Sequence, residues 1–235
     1  GMQGGPQGGP PMHPWTPAAP PVVAVDIDEV LCRYVECFVK WRTGQPPTQN
    51  VGACFKACYA QEETAAREAF LSAEAFTWID PVEGAQEALL RLRSCGFELH
   101  AVTTRPESCR AATQTYLDRF FPGLITSLSF AQPMPPGGGR GQILGGKGSI
   151  CQGLNAMVLV DDQLPNLQDA AAFGVSGIVF DQDAEYHWNH VSNELPNITR
   201  AYRWSEALAR IMGLVGQPCP LGAPLRQPAA IPVTA

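Results

Sequence analysis

Val22-Val23-Ala24-Val25-Asp26-Ile27-Asp28-Glu29-Val30-Leu31 is the stretch on which the fold turns. Its first four residues are apolar, mostly β-branched and unalternated, the pattern of a strand covered on both faces in a parallel sheet. Similar short runs recur at 99–102, 124–130, 157–160 and 175–180. The segments between them carry helix punctuation. Residues 82–95 stop at Gly96, Pro106 opens the next helix near its first turn, 121–123 close it, and 164–173 stop at Gly174. Strand and helix alternating through five strands predict an α/β fold, a doubly wound parallel five-stranded sheet. Such sheets bind ligands beyond the carboxyl ends of their strands, so chemistry is to be sought there.

One segment breaks the alternation. Between the first strand and the helix at Val82 lie about fifty residues without a strand signal, and 32–41, 51–60 and 62–76 all read as helices. This predicts a small helical cap, residues 32–80, inserted after the first strand into a core made of 22–31 and 81–213.

The 23 glycines and 22 prolines concentrate in 1–21, 131–148 and 216–235, so the tails 1–21 and 214–235 are expected to be disordered. Pro11, Pro14, Pro17 and Pro20 recur every third residue, which would place them on one face of a polyproline II helix and offer a docking site to a polyproline-binding partner. A solubilising tail is the simpler reading. The net charge of -6 leaves no basic excess for non-specific nucleic-acid binding. Eight cysteines are scattered without a framework, nothing reads as a signal peptide, and no apolar run suits a membrane span. A soluble, cytoplasmic protein is expected.

The first strand ends in Asp26 and Asp28, two carboxylates spaced to point the same way from extended backbone. They suit a nucleophile and a general acid/base acting on one substrate. The second strand ends in Thr103-Thr104-Arg105-Pro106, hydroxyls just before a helix N-terminus, where a phosphate is favoured. The fourth ends in Asp161-Asp162, and like charges so close to Asp26 call for a hard divalent cation with oxygen ligands. Lys147 is one of only three lysines and sits in the glycine-rich loop before that strand, placed to neutralise a phosphoryl group. Residues 141–147 also nearly match a Walker A loop, but Gly148 stands where that motif needs Ser or Thr.

Taken in order, Asp26/Asp28, Thr103, Lys147 and Asp161/Asp162 resemble the four motifs of the haloacid-dehalogenase-like (HAD) phosphatase superfamily, over residues 22–212. The cap length, the 80–85 segment and the 202–207 helix start look like its 5'(3')-deoxyribonucleotidase branch, whose members usually carry Gly where this chain has Glu29. The resemblance implies a phosphatase working through an aspartyl-phosphate. Asp26 would be the nucleophile and Asp28 the acid/base, with Mg2+ held by Asp26, the Asp28 carbonyl and Asp161. Asp162 would ligate through water or orient its neighbour. Phosphate would be held by Thr103 and Lys147, with Thr104 and Arg105 as further candidates.

A small phosphorylated substrate is implied, foremost a nucleoside monophosphate, with a sugar phosphate or phosphoglycolate as the alternative. A catalytically silent HAD-fold binding protein is the reading from another class. The cap should then decide which ester is accepted, and Phe55, Tyr59, Phe70, Phe76 and Trp78 are its candidate base-stacking faces, against the simpler reading as core. Cys54 and Cys58, and His187 and His190, lack the partners of a metal site and read as packing or surface residues.

Overall fold

The protein is described here from a computed structural model covering residues 19–48, 51–72, 78–133, 144–189 and 196–216. Most of both proline-rich tails, with the Pro11–Pro20 periodicity, lies outside the described residues, as do Phe76 and His190.

Six strands form one parallel sheet: β1 (Val22–Val25), β2 (Glu98–Thr103), β3 (Ser127–Phe130), β4 (Ala156–Asp161), β5 (Ser176–Phe180) and β6 (Ile198–Ala201), in the order β3-β2-β1-β4-β5-β6. The order reverses between β1 and β4, and this switch point is where such sheets open a crevice beyond their carboxyl ends. The sixth strand corrects the expected five. Ile198-Thr199-Arg200-Ala201 escapes notice because it is an edge strand in which only Ala201 is buried, so it lacks the continuous apolar run of the central strands.

All four residues of β1 are buried, and their two-residue alternation feeds two cores. Val23 and Val25 join Leu99, Ala101, Val158, Val160, Ile178 and Phe180 on one face, under α4 (Ala85–Ser94), α5 (Arg110–Phe120) and α8 (Trp204–Leu214). Val22 and Ala24 join Val102, Leu159 and Val179 on the other, under α6 (Lys147–Gly153) and α7 (Leu164–Ala172). Gly148 lets α6 press against α7, because a methyl group there would lie 2.6 Å from the Asp169 carbonyl oxygen. That contact, and not phosphate binding, explains the glycine that spoils the Walker match.

The helices α1 (Tyr34–Thr43), α2 (Val51–Cys58) and α3 (Thr64–Ser72) lie between β1 and α4. The chain leaves and returns side by side: the Arg33 amide donates to Asp80 O at 3.0 Å and the Val82 amide to Leu31 O at 3.0 Å. The inserted helices have their own aromatic core, with Tyr34, Phe38, Trp41 and Phe70 ring centroids 5.3–6.3 Å apart. The seven described cysteines are free thiols. No helix among the described residues is long and apolar enough to cross a membrane.

Candidate active site

The switch point brings the motif residues together. Asp26 follows the last residue of β1, its amide donating to Val160 O of β4 at 2.9 Å, Asp161 ends β4 and Asp162 follows it. One carboxylate oxygen from each of Asp26, Asp161 and Asp162 lies within 4.8 Å of the others, and all three residues are buried. Lys147, the first residue of α6 and 2% exposed, reaches between two of them, with Nζ 2.7 Å from Asp26 Oδ1 and 2.6 Å from Asp161 Oδ2.

One ammonium faces three carboxyl groups, and the electrostatics record the deficit. Burial pushes the Asp26 carboxyl up to about 7, the Lys147 charge pulling against it and the Asp161 and Asp28 charges adding to it. Burial, then the charges of Asp161 and Asp26, hold Asp162 well above the carboxylate range. Burial opposes the charge on Lys147, yet its two carboxylates raise its pKa, so it stays an ammonium. Three clustered hard oxygen donors with a charge shortfall fit a divalent cation such as Mg2+.

Supporting residues fix these carboxylates. Asp161 Oδ1 accepts from the Gln163 amide at 2.8 Å and from Asn166 Nδ2 at 3.1 Å. Asp162 Oδ2 accepts from Gln163 Nε2 at 2.7 Å and Trp188 Nε1 at 3.1 Å. Asp169 on α7 accepts the Gly148 amide at 2.7 Å, pinning the turn that carries Lys147. Sequence reasoning missed Gln163, Asn166, Asp169 and Trp188. The first two follow the aspartates in a strand-to-helix turn and were open to discovery as side-chain anchors; Asp169 and Trp188 act across the fold and leave no local pattern.

Asp28 stands apart from the trio. Its carboxylate takes a two-pronged contact from Arg105, Nε to Oδ2 at 3.0 Å and Nη2 to Oδ1 at 2.5 Å. Arg105 also donates to Thr113 Oγ1 at 3.2 Å and to Cys32 Sγ at 3.3 Å. The guanidinium is therefore buried against Asp28, which it orients, at the edge of the cleft that Asp28 and Thr104 line. Thr103 Oγ1 accepts the Arg105 amide at 3.2 Å, leaving its own hydrogen to donate. Thr104 and Asp28 line a cleft of about 200 Å³ whose other wall is the insert: Tyr34, Tyr59, Arg67 and Leu71.

Glu29 occupies a left-handed turn, φ 60°, a backbone conformation that glycine adopts more readily than any other residue. Its side chain does work a glycine cannot. Oε1 accepts the Val35 amide at 2.7 Å, satisfying an otherwise open donor in the first turn of α1. Burial pushes its carboxyl up to about 8, the Val35 hydrogen bond pulling the other way.

Most of the expected stacking faces are occupied. Phe55 stacks on Trp188 at 3.8 Å, Phe70 is buried in the aromatic core of the insert, and the Arg119 guanidinium lies 3.5 Å over Trp78. Among the described candidates only Tyr59, 42% exposed, faces the cleft beside Asp28. Cys54 and Cys58 are buried and form no metal cluster with the described residues, and His187 packs against Gly52.

No protein-family model matches the chain, and no curated protein sequence is significantly similar to it. Solved structures do match. A predicted phosphatase from Clostridium acetobutylicum aligns at 16% identity over 83% of this chain and 100% of its own, with a TM-score of 0.54. A HAD-superfamily hydrolase of subfamily IA from Geobacter sulfurreducens aligns at 17% identity over 85% and 98%, with a TM-score of 0.52. A predicted phosphoglycolate phosphatase from Haemophilus somnus aligns at 14% identity over 83% and 100%, also at 0.52. With the strand order and the insert after β1, these likenesses identify the fold as that of the haloacid-dehalogenase-like hydrolases.

Proposed function

We propose that the protein is a Mg2+-dependent phosphatase of small phosphomonoesters. The observation that carries this reading is the meeting of Asp26, Asp161 and Asp162 within 4.8 Å at the switch point, with Lys147 bonded to Asp26 and Asp161. Asp26, Asp161 and Asp162 would hold the cation, which when bound supplies charge neutralisation for the phosphoryl oxygens. The Asp26 carboxylate attacks phosphorus, the ester P–O bond breaks, and the departing oxygen takes a proton relayed from solvent through Asp28, whose carboxylate rests paired with Arg105. Asp28 then takes a proton from the water that attacks the phosphoryl group, the bond from phosphorus to Asp26 breaks, inorganic phosphate leaves, and Asp28 releases its proton to solvent, which returns both carboxyl groups to their starting states. Thr103 and Lys147 donate to the phosphoryl oxygens. Arg105 keeps Asp28 in one rotamer facing the cleft.

The leaving-group cleft favours a small, polar alcohol, as in a sugar phosphate or phosphoglycolate, over a nucleoside. The cleft, of about 200 Å³, sets polar Thr64, Arg67, Glu68 and Thr104 beside Tyr34 and Tyr59, while Phe55 and Trp78 are spent on internal packing. The test is a phosphomonoester panel, with nucleoside monophosphates beside two- to six-carbon phosphates, assayed with Mg2+ and with EDTA. Turnover that needs Mg2+ and has its highest kcat/KM on small esters supports the proposal. Full activity in EDTA, or a preference of more than tenfold for nucleotides, refutes the corresponding half of it.

A further inference from the structure

We infer that Trp188 is a positioning residue that ties the seating of the inserted helices to the aim of the Asp162 carboxylate. The inference rests on the reading of Asp26, Asp161 and Asp162 as a metal centre. Trp188 lies in the loop after β5, and its indole joins two parts of the molecule. Its Nε1 donates to Asp162 O at 3.0 Å and to Asp162 Oδ2 at 3.1 Å, so a single N–H is shared by the backbone and side chain of one carboxylate residue. Its ring lies on Phe55 of α2, centroids 3.8 Å apart and planes 22° from parallel, and on Tyr186 at 4.7 Å and 11°.

The same loop is pressed against α2 at a second point. A methyl group on Gly52 would lie 2.1 Å from His187 Cδ2 and 2.5 Å from Glu185 O, so backbone meets backbone with no room for a side chain. Tyr186 anchors the loop from below, its hydroxyl donating to Glu29 O at 2.9 Å in the turn after β1. The loop is thus a pad with two fixed supports, α2 above and the β1 turn below. A displacement of α2 drags the indole through the stack, and the indole N–H joins Gln163 Nε2 among the described side-chain donors that set the Asp162 carboxylate. Groups that orient a metal's carboxylates typically change metal affinity 10- to 100-fold when removed.

The test is Mg2+ titration of the full-length apoprotein by calorimetry, with the thermal midpoint in EDTA recorded beside it. Trp188→Phe keeps a stacking ring and removes the N–H; the expected result is a Mg2+ Kd raised about tenfold. Phe55→Leu keeps the N–H and weakens the stack; Kd should rise about threefold, and the double variant should be no weaker than Trp188→Phe alone, since without the N–H the stack has nothing to transmit. A Trp188→Phe protein that melts lower in EDTA but binds Mg2+ within twofold of wild type overturns the inference, as does strict multiplicativity of the two effects. If Trp188→Phe does not fold, Phe55→Leu with an unchanged Mg2+ Kd overturns it alone. A wild-type chain that binds no Mg2+ overturns the metal-centre reading and this inference with it, whereas Mg2+ binding that ignores both substitutions overturns only this inference.

Discussion

Replacing Glu29 by glutamine should make the protein more stable in alkaline than in acid solution relative to wild type, and the size of the effect follows from burial. Glu29 is 2% exposed, and its carboxyl titrates near 8 in the folded chain against an ordinary 4.5. The folded state therefore holds this proton more tightly than the unfolded chain. Stability drawn from it is fully present below about 4.5 and is lost as pH rises through about 8. About 1.4 kcal/mol for each unit of separation sets a ceiling of about 5 kcal/mol, of which on the order of 3 kcal/mol falls between pH 5 and pH 8. Glutamine keeps the oxygen that accepts the Val35 amide and carries no charge at any of these pH values. Urea unfolding of both proteins in EDTA at pH 5, 6, 7 and 8 reads the term: Asp26 titrates in both, and the Glu29 charge that raises Asp162 adds to the separation in the same direction. The two stabilities should be similar at pH 5 and separate steadily toward pH 8, with glutamine the more stable. Stabilities that stay parallel within about 0.5 kcal/mol across that range would refute the reasoning, since Glu29 would then have to be solvated or ionised in the fold.

Four further outcomes are expected. Asp26→Asn should lower kcat on an aryl phosphate at least about 1,000-fold, because an amide is a poor nucleophile, while the circular dichroism spectrum is retained. Asp161→Asn should raise the Mg2+ concentration for half-maximal activity about tenfold or more, read from a metal titration of initial rates. Arg105→Lys replaces a two-pronged grip on Asp28 with a single point charge, so kcat should fall about 10- to 100-fold with KM for a small ester changed less than threefold. Gly148→Ala forces a methyl group to 2.6 Å from the Asp169 carbonyl oxygen, and a loss of about 1–3 kcal/mol in urea unfolding is expected.

The central strands and the acidic ends of β1 and β4 were legible because their cause is local. A strand buried on both faces must be continuously apolar, so the acidic residues at its end stand out, and it is their joint occurrence at two strand ends rather than either alone that points to chemistry. β6 was not legible, being half-exposed and polar in its middle. Lys147 was expected beside a phosphoryl group and the attacking carboxylate, and the structure pairs it with Asp26 and also with Asp161. Thr103-Thr104-Arg105-Pro106 has the look of a phosphate cradle, whereas its guanidinium spends its fork on a carboxylate 77 residues earlier. Glu29 looked like a departure from a motif and proves to need both a left-handed backbone and a long acceptor, a combination no propensity scale ranks. Trp188 could not be found from local pattern, since Phe55 and Asp162, which give it its role, are remote in sequence.

The division of labour between sheet and insert then follows from what each can reach. The groups that would meet a phosphoryl group all stand on the strand ends or the first turn of α6, and they are held by bonds within the sheet and its flanking helices. They would treat every phosphomonoester alike. On the proposed function, discrimination would come from the other wall of the cleft, where Tyr59, Arg67 and Leu71 face Asp28 and Thr104. Arg67 is already braced, donating to Cys58 O at 2.6 Å and Ala60 O at 3.2 Å, with Tyr59 under its guanidinium at 5.1 Å. A cation held this firmly loses little side-chain freedom when a substrate arrives. Phe55, by contrast, lies on the seam with Trp188, where it sets how the insert sits rather than what the cleft touches. The aromatic content of the insert is therefore a poor guide to its ligand, and the small number of polar groups that reach the cleft is a better one.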